Sequence, residues 1–221
     1  MHDFWAQRWE QGRIGFHSQQ VNPQLVKYAD RLISGLTLES APRILIPLCG
    51  KTVDITWLED QGCDVVGVEI VEQALEDFHS EQGRQFYVIS ENGFNAWTSG
   101  RTALFQGDFF EIDHSVIGTV TGVWDRAALV AVLPELQQKY ADQLVALTRK
   151  GARVLLRTFA YDQSAMQGPP WSVSPQTVQT IFGERFRIEL LESQELIDVL
   201  HKFRDRGATS FIGSTWLLTR V

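Results

Sequence analysis

Residues 43–69 constrain the fold more than any other stretch of the chain. Arg43-Ile44-Leu45-Ile46-Pro47-Leu48 is a short apolar run, and Asp64-Val65-Val66-Gly67-Val68-Glu69 is a second. Neither alternates apolar with polar side chains, so each reads as a strand buried on both faces. Between them Cys49-Gly50-Lys51 turns the chain, and residues 54–61 carry Trp57 and Leu58 on a helix that Gly62 stops. A strand, a helix and a strand in succession predict a parallel pair joined by a crossover. The rhythm continues with a helix over 72–82, bearing Ala74, Leu75 and Phe78 on one face. Strands follow over 103–106 and 119–124, then a helix over 135–148 and a strand over 153–159. The tail reads as a helix over 177–182, a strand over 187–191, a charged helical stretch over 195–206 and a last strand over 215–219. The expected fold class is α/β: a mostly parallel sheet with helices on both faces and an antiparallel edge from the two late strands.

Two helices precede this core. Residues 3–11 place Trp5 and Trp9 one turn apart before Gly12, a stripe more often core than ligand contact. Asn22-Pro23 reads as an N-cap followed by proline at the first helical position. Leu25, Tyr28, Leu32 and Ile33 then continue at helical spacing to Gly35. The 221 residues suit one domain, 1–221.

Several classes of function are disfavoured. With 27 acidic against 20 basic residues the net charge is −7, which speaks against a nucleic-acid partner. No apolar run approaches the ~18 residues of a membrane span, so no membrane partner is expected. Met1-His2-Asp3-Phe4-Trp5 lacks the apolar region of a signal peptide. Cys49 and Cys63 show neither disulfide nor metal-ligand spacing and read as buried thiols, so the expected compartment is the cytoplasm. The histidines show no H-x-x-x-H spacing and no metal site is expected. Gly213-Ser214 lacks the G-x-S-x-G elbow of a serine hydrolase.

In an open parallel sheet, ligands bind beyond the carboxyl ends of the strands, which selects three places here. The first is Pro47-Leu48-Cys49-Gly50-Lys51, where Gly50 permits close backbone approach and a helix N-terminus offers free N–H donors. It is neither G-x-G-x-x-G nor G-x-x-x-x-G-K-[ST], and taken alone it reads equally well as a plain tight turn. The second is Glu69, nineteen residues after Gly50, where a carboxylate can accept both ribose hydroxyls of a nucleoside cofactor. A solvated strand-end charge is the alternative. The third is Trp124-Asp125-Arg126, where the guanidinium either pairs with a nearby charge or holds an anionic substrate. Between these lies Gly107-Asp108-Phe109-Phe110. Asp108 can bond an adenine amino group and Phe109 can stack on its ring, or the pair is a turn aspartate and a core phenylalanine.

Taken together, the blocks resemble the thiopurine S-methyltransferase family, and its bacterial members in particular. The match runs nearly end to end: Trp5 to Trp9, Gly15-Phe16-His17, Val21-Asn22-Pro23, Pro47-Leu48-Cys49-Gly50-Lys51, Asp54 and Trp57-Leu58. It continues through Val65-Val66-Gly67-Val68-Glu69, Gly107-Asp108-Phe109-Phe110, Trp124-Asp125-Arg126-Ala127-Ala128-Leu129-Val130-Ala131, Tyr161-Asp162 and Gly168-Pro169-Pro170. The resemblance implies a class I, Rossmann-like fold with a seven-stranded sheet whose last strand is antiparallel. It sets 1–40 apart as an N-terminal helical lid over a 41–221 core. It implies S-adenosylmethionine as donor, S-adenosylhomocysteine as product and a soft nucleophile, a thiol, as acceptor.

By the same motif matching, Trp9, Leu48, Gly50, Glu69, Asp108, Phe109 and Arg126 fall at cofactor positions. Phe16 matches a substrate-side aromatic. Trp171 stands where phenylalanine is usual in the family, beside the acceptor pocket, and Ala160 is a second departure. Arg126 is the expected electrostatic catalyst and Asp125 either a proton acceptor or the group that orients it. Selenium or tellurium compounds are alternative acceptors, and a nucleotide-cofactor oxidoreductase is an alternative class that the absence of G-x-G-x-x-G argues against. The expected partner is a small molecule, and the expected state a monomer.

Overall fold

A computed structural model describes residues 2–35, 41–83, 85–91 and 93–221. Residue 1 and residues 36–40 of the expected lid segment therefore lie outside the described residues. Packing divides the chain into two compact units, one ending at Trp124 and the other beginning at Asp125.

The first unit opens with α1 (His2–Glu10) and α2 (Pro23–Ile33). The expected cap is present: the Asn22 side chain accepts from the Gln24 N–H at 3.0 Å, ahead of Pro23. Then come β1 (Arg43–Pro47), α3 (Asp54–Asp60), β2 (Asp64–Glu69) and α4 (Glu72–Gln82). Ile44, Leu45 and Ile46 are successive and all buried, as are Val65, Val66 and Val68, so both faces of β1 and β2 are covered. Next are β3 (Tyr87–Glu91), β4 (Phe94–Ser99), β5 (Thr102–Gln106), α5 (His114–Ile117) and β6 (Val120–Arg126). Their order is β3-β4-β5-β2-β1-β6. The β5, β2, β1 and β6 strands are parallel, with Ile44 opposite Val65 and Gly122. β3 and β4 add an antiparallel hairpin beside β5.

That hairpin is the largest departure from expectation. The described residues carry nine strands rather than seven, and β3 and β4 are the surplus. Tyr87, Val88 and Ile89 are exposed by 64%, 52% and 49%, so β3 shows apolar side chains on both faces and leaves no alternating pattern to read.

In the second unit, 3-10 turns at Leu129–Ala131 and Pro134–Leu136 lead into α6 (Gln137–Leu147) and β7 (Thr148–Ala160). The helix expected over 135–148 thus ends a residue early, and β7 starts at Thr148. After α7 (Pro175–Phe182) come β8 (Phe186–Glu195), α8 (His201–Arg204) and β9 (Ile212–Arg220). The strand order is β7-β9-β8, and β9 is antiparallel to both neighbours, as the resemblance implied for the last strand. The charged helix expected over 195–206 is a correction. β8 runs through Glu195, and only His201–Arg204 is helical. The Glu195 carboxylate accepts the N–H groups of Leu196, Ile197 and Phe211, which turns the chain. Ile197, Phe203, Ala208 and Phe211 then bury together.

Candidate active site

The turns after β1, β2 and β5 are tied to one another by backbone. Cys49 donates to the Val68 carbonyl at 3.0 Å, and Gly107 donates to the Glu69 carbonyl at 2.8 Å. This holds Leu48, Gly50, Glu69 and Asp108 at one end of the parallel strands, where the sheet rule placed a ligand. Leu48 takes φ +48° and Gly50 φ +53°. Glycine tolerates that region freely; for leucine it costs on the order of 1–2 kcal/mol, and such outliers gather at functional turns.

Glu69 has both oxygens engaged by backbone alone. Gly50 N–H donates to Oε2 at 2.8 Å and Val71 N–H donates to Oε1 at 2.9 Å. The side chain is 7% exposed. Burial pushes its pKa above the ordinary glutamate value, and the backbone donors oppose that rise. An ionised carboxylate has about four lone-pair sites, so two hydrogen bonds leave capacity for two more.

Trp9 is brought to the same turn. A Cβ built on Gly50 would lie 3.3 Å from the Trp9 ring, so the glycine leaves only contact space beneath the indole. Trp9 is buried with Val71 and Ala74, and Phe16 sits edge-on to it with ring centroids 6.0 Å apart. Asp108 makes a turn, its Oδ1 accepting from Phe110 N–H at 2.9 Å, and Phe109 is buried, edge-on to Phe110. Asp54 is a further tie. Its Oδ1 accepts from Asn22 N–H and its Oδ2 from Trp124 Nε1–H, each at 2.8 Å.

The second unit holds Asp125, Arg126 and Trp171. Asp125 is fully buried. The Tyr140 hydroxyl donates to its Oδ2 at 2.7 Å and the Leu129 N–H to its Oδ1 at 3.2 Å. Burial pushes its pKa up to about 6, with the phenol and backbone donors pulling the other way. Its sequence neighbour is half-buried Arg126, followed by Ala127 at φ +70°. Leu48 and Ala127 are the two non-glycine residues with positive φ among those described, and each follows a parallel strand's carboxyl end. Near Arg126, burial and the like charges of Arg126 and Arg206 hold the Lys202 pKa below the lysine value. Trp171 is pinned by its own N–H to the Val130 carbonyl at 2.6 Å. A Cβ on Gly168 would lie 2.4 Å from the indole, so only glycine fits under it.

Sequence reasoning passed over Tyr140, Ala127 and Lys202. Tyr140 lies on α6, inside a helix with nothing in its pattern to mark it. Ala127 carries its signal in a dihedral angle. Lys202 lies in the charged stretch over 195–206, where one lysine among several charges has nothing to single it out.

A sequence profile described as Thiopurine S-methyltransferase matches residues 1–221. Thiopurine S-methyltransferase of Pseudomonas putida is 42% identical over 217 residues, covering 98% of this chain and 98% of that protein. The protein of the same name from Pseudomonas paraeruginosa is 38% identical over 218 residues, covering 99% and 98%. Among solved structures, an S-adenosylmethionine-dependent methyltransferase from Anabaena variabilis aligns with TM-score 0.63 at 15% identity, covering 100% of this chain and 95% of its own. The Burkholderia thailandensis 1,6-didemethyltoxoflavin-N1-methyltransferase, solved with its acceptor and S-adenosylhomocysteine, aligns with TM-score 0.62 at 16% identity, covering 99% and 87%. These structures share the fold, and the oxidoreductase alternative is not favoured. From its first residue to its last, this chain belongs to the thiopurine S-methyltransferase family and carries the mixed α/β fold of the S-adenosylmethionine-dependent methyltransferases.

Proposed function

We propose that the chain transfers a methyl group from S-adenosylmethionine to the sulfur of an aromatic or heterocyclic thiol, leaving S-adenosylhomocysteine, as a cytoplasmic monomer. The observation that carries this reading is the buried Glu69 carboxylate, held by two backbone N–H groups at the Gly50 turn under Trp9. The donor supplies a methyl group made electrophilic by a sulfonium. Glu69 spends its remaining lone pairs on two ribose hydroxyls. Leu48 and Gly50 let the backbone come close, Asp108 accepts from an adenine amino group and Phe109 walls the ring. Trp9 offers an aromatic face to a cation without offering a competing nucleophile.

Arg126 pairs with the acceptor's thiolate or another anionic group and keeps it ionised. Phe16 in the first unit and Trp171 in the second are each taken as acceptor-side aromatics, on the family resemblance. Asp125 acts through the chain: with both oxygens held by Tyr140 and Leu129, it fixes the end of β6 that presents Arg126. An aromatic thiol ionises near neutral pH, so the transfer needs proximity and a desolvated thiolate more than a strong base.

Calorimetry with S-adenosylhomocysteine is expected to show one site per chain, and no binding at millimolar ligand would sink the reading. With labelled donor, the label is expected on an aromatic thiol. Label on selenium or tellurium oxyanions alone, at equal donor concentration, would replace the thiol as acceptor.

A further inference from the structure

Lys51 stands in the turn beside Gly50, yet it is only 8% exposed. Lysine is rarely buried unless it is paired. Here Nζ donates to Asp77 Oδ2 at 3.0 Å and to Glu81 Oε1 at 2.6 Å, both on α4. Burial works against the charge, and the two carboxylates more than offset it, so its pKa lies above the usual lysine value. Nζ also lies 5.8 Å from the centroid of a Trp9 ring, within cation–π range. Among the described residues, these three groups are its recorded partners. Asp77 and Glu81 are 33% and 45% exposed, so the pair is covered on the lysine side only. Ion pairs open to solvent add little stability, so a packing role alone gives little reason for a charge here.

We propose that Lys51 is a positioning residue for the cofactor: clamped by Asp77 and Glu81, its ammonium holds the Trp9 indole on the Gly50 turn. The inference rests on the functional reading above and goes beyond it. Its role runs through Trp9, the aromatic group it faces. Because Gly50 also donates to Glu69, one turn carries both the ribose-side carboxylate and the aromatic cover. Two carboxylates on one helix keep the ammonium from leaving for solvent, which a single exposed partner would do poorly.

The test is a double-mutant cycle read by calorimetry with S-adenosylhomocysteine. Lys51→Met is expected to weaken binding about tenfold. Lys51→Arg, which keeps a cation against the ring, is expected to restore most of it. In a Trp9→Leu background, Lys51→Met is expected to weaken binding no further, because the group it acts through is gone. Additive losses, or a Lys51→Met protein that binds as tightly as the parent, would overturn the proposal. If Lys51→Met does not fold, the pair Asp77→Asn with Glu81→Gln asks the same question from partly exposed positions. That pair is expected to weaken binding when Trp9 is present and not when it is leucine; equal losses in both backgrounds overturn the proposal. Failure of the parent protein to bind would instead strike the functional reading itself.

Discussion

Two carboxylates end two strands of this molecule, and they differ in what surrounds them. Glu69 closes β2 and Asp125 stands near the end of β6; both are buried, and burial raises the pKa of each. Glu69 meets only backbone donors, from Gly50 and Val71, and lies at a turn shaped by a glycine. Asp125 meets a phenol from α6 as well as a backbone N–H, and is 0% exposed. A carboxylate satisfied by backbone keeps lone pairs for a ligand. One closed in by a side chain and fully buried spends its bonds on the fold. Similar residues at similar strand ends thus do different work, and solvent access with donor type tells them apart better than pKa direction does.

The contrast predicts a crossed pattern. The largest effect is expected for Glu69→Ala, which removes two charge-assisted bonds to the ribose. At ~1.5–3 kcal/mol each, affinity for S-adenosylhomocysteine should fall at least about 100-fold by calorimetry. Asp125→Ala is the next largest and acts on the other axis. It leaves the Tyr140 hydroxyl and the Leu129 N–H without an acceptor, so unfolding in urea should show a loss of about 2 kcal/mol. Its effect on S-adenosylhomocysteine affinity should be the smaller of the two. If Asp125→Ala instead abolished binding with stability intact, the distinction between the two carboxylates would collapse.

The sequence made Glu69 visible because an unbroken apolar run pointed at it and a glycine turn preceded it at a fixed separation. Periodicity likewise found β1, β2, α3 and α4, since both faces of each strand and one face of each helix are buried. What it missed was set by tertiary partners. Tyr140 looks like one more core residue of α6 until the chain brings it 2.7 Å from Asp125. Lys51 looked like the end of a turn, because its partners Asp77 and Glu81 lie some thirty residues away on α4. The β3–β4 hairpin hid for the opposite reason: an edge strand with exposed apolar side chains obeys no burial period.

The smallest effect belongs to Tyr140→Phe, and its dependence on pH matters more than its size. The folded protein holds a proton on Asp125 up to about pH 6, well above the ordinary aspartate value of 3.8. Between those values the folded state binds more protons than the unfolded chain, so this group's contribution to stability falls as pH rises through the window. Above about 6 the contribution levels off at its least favourable. The Tyr140 hydroxyl stays protonated, because burial and Asp125 push its pKa well above 10, and it donates to the ionised carboxylate. Removing it takes away a bond that favours the charged form, so the Asp125 pKa rises further and the loss continues toward neutral pH. Unfolding in urea should place the variant about 1 kcal/mol below the parent near pH 8, with the gap narrowing near pH 4.5 as the carboxyl protonates in both. A gap of constant size across that range would mean that the phenol supports packing alone and that the charge on Asp125 does not depend on it.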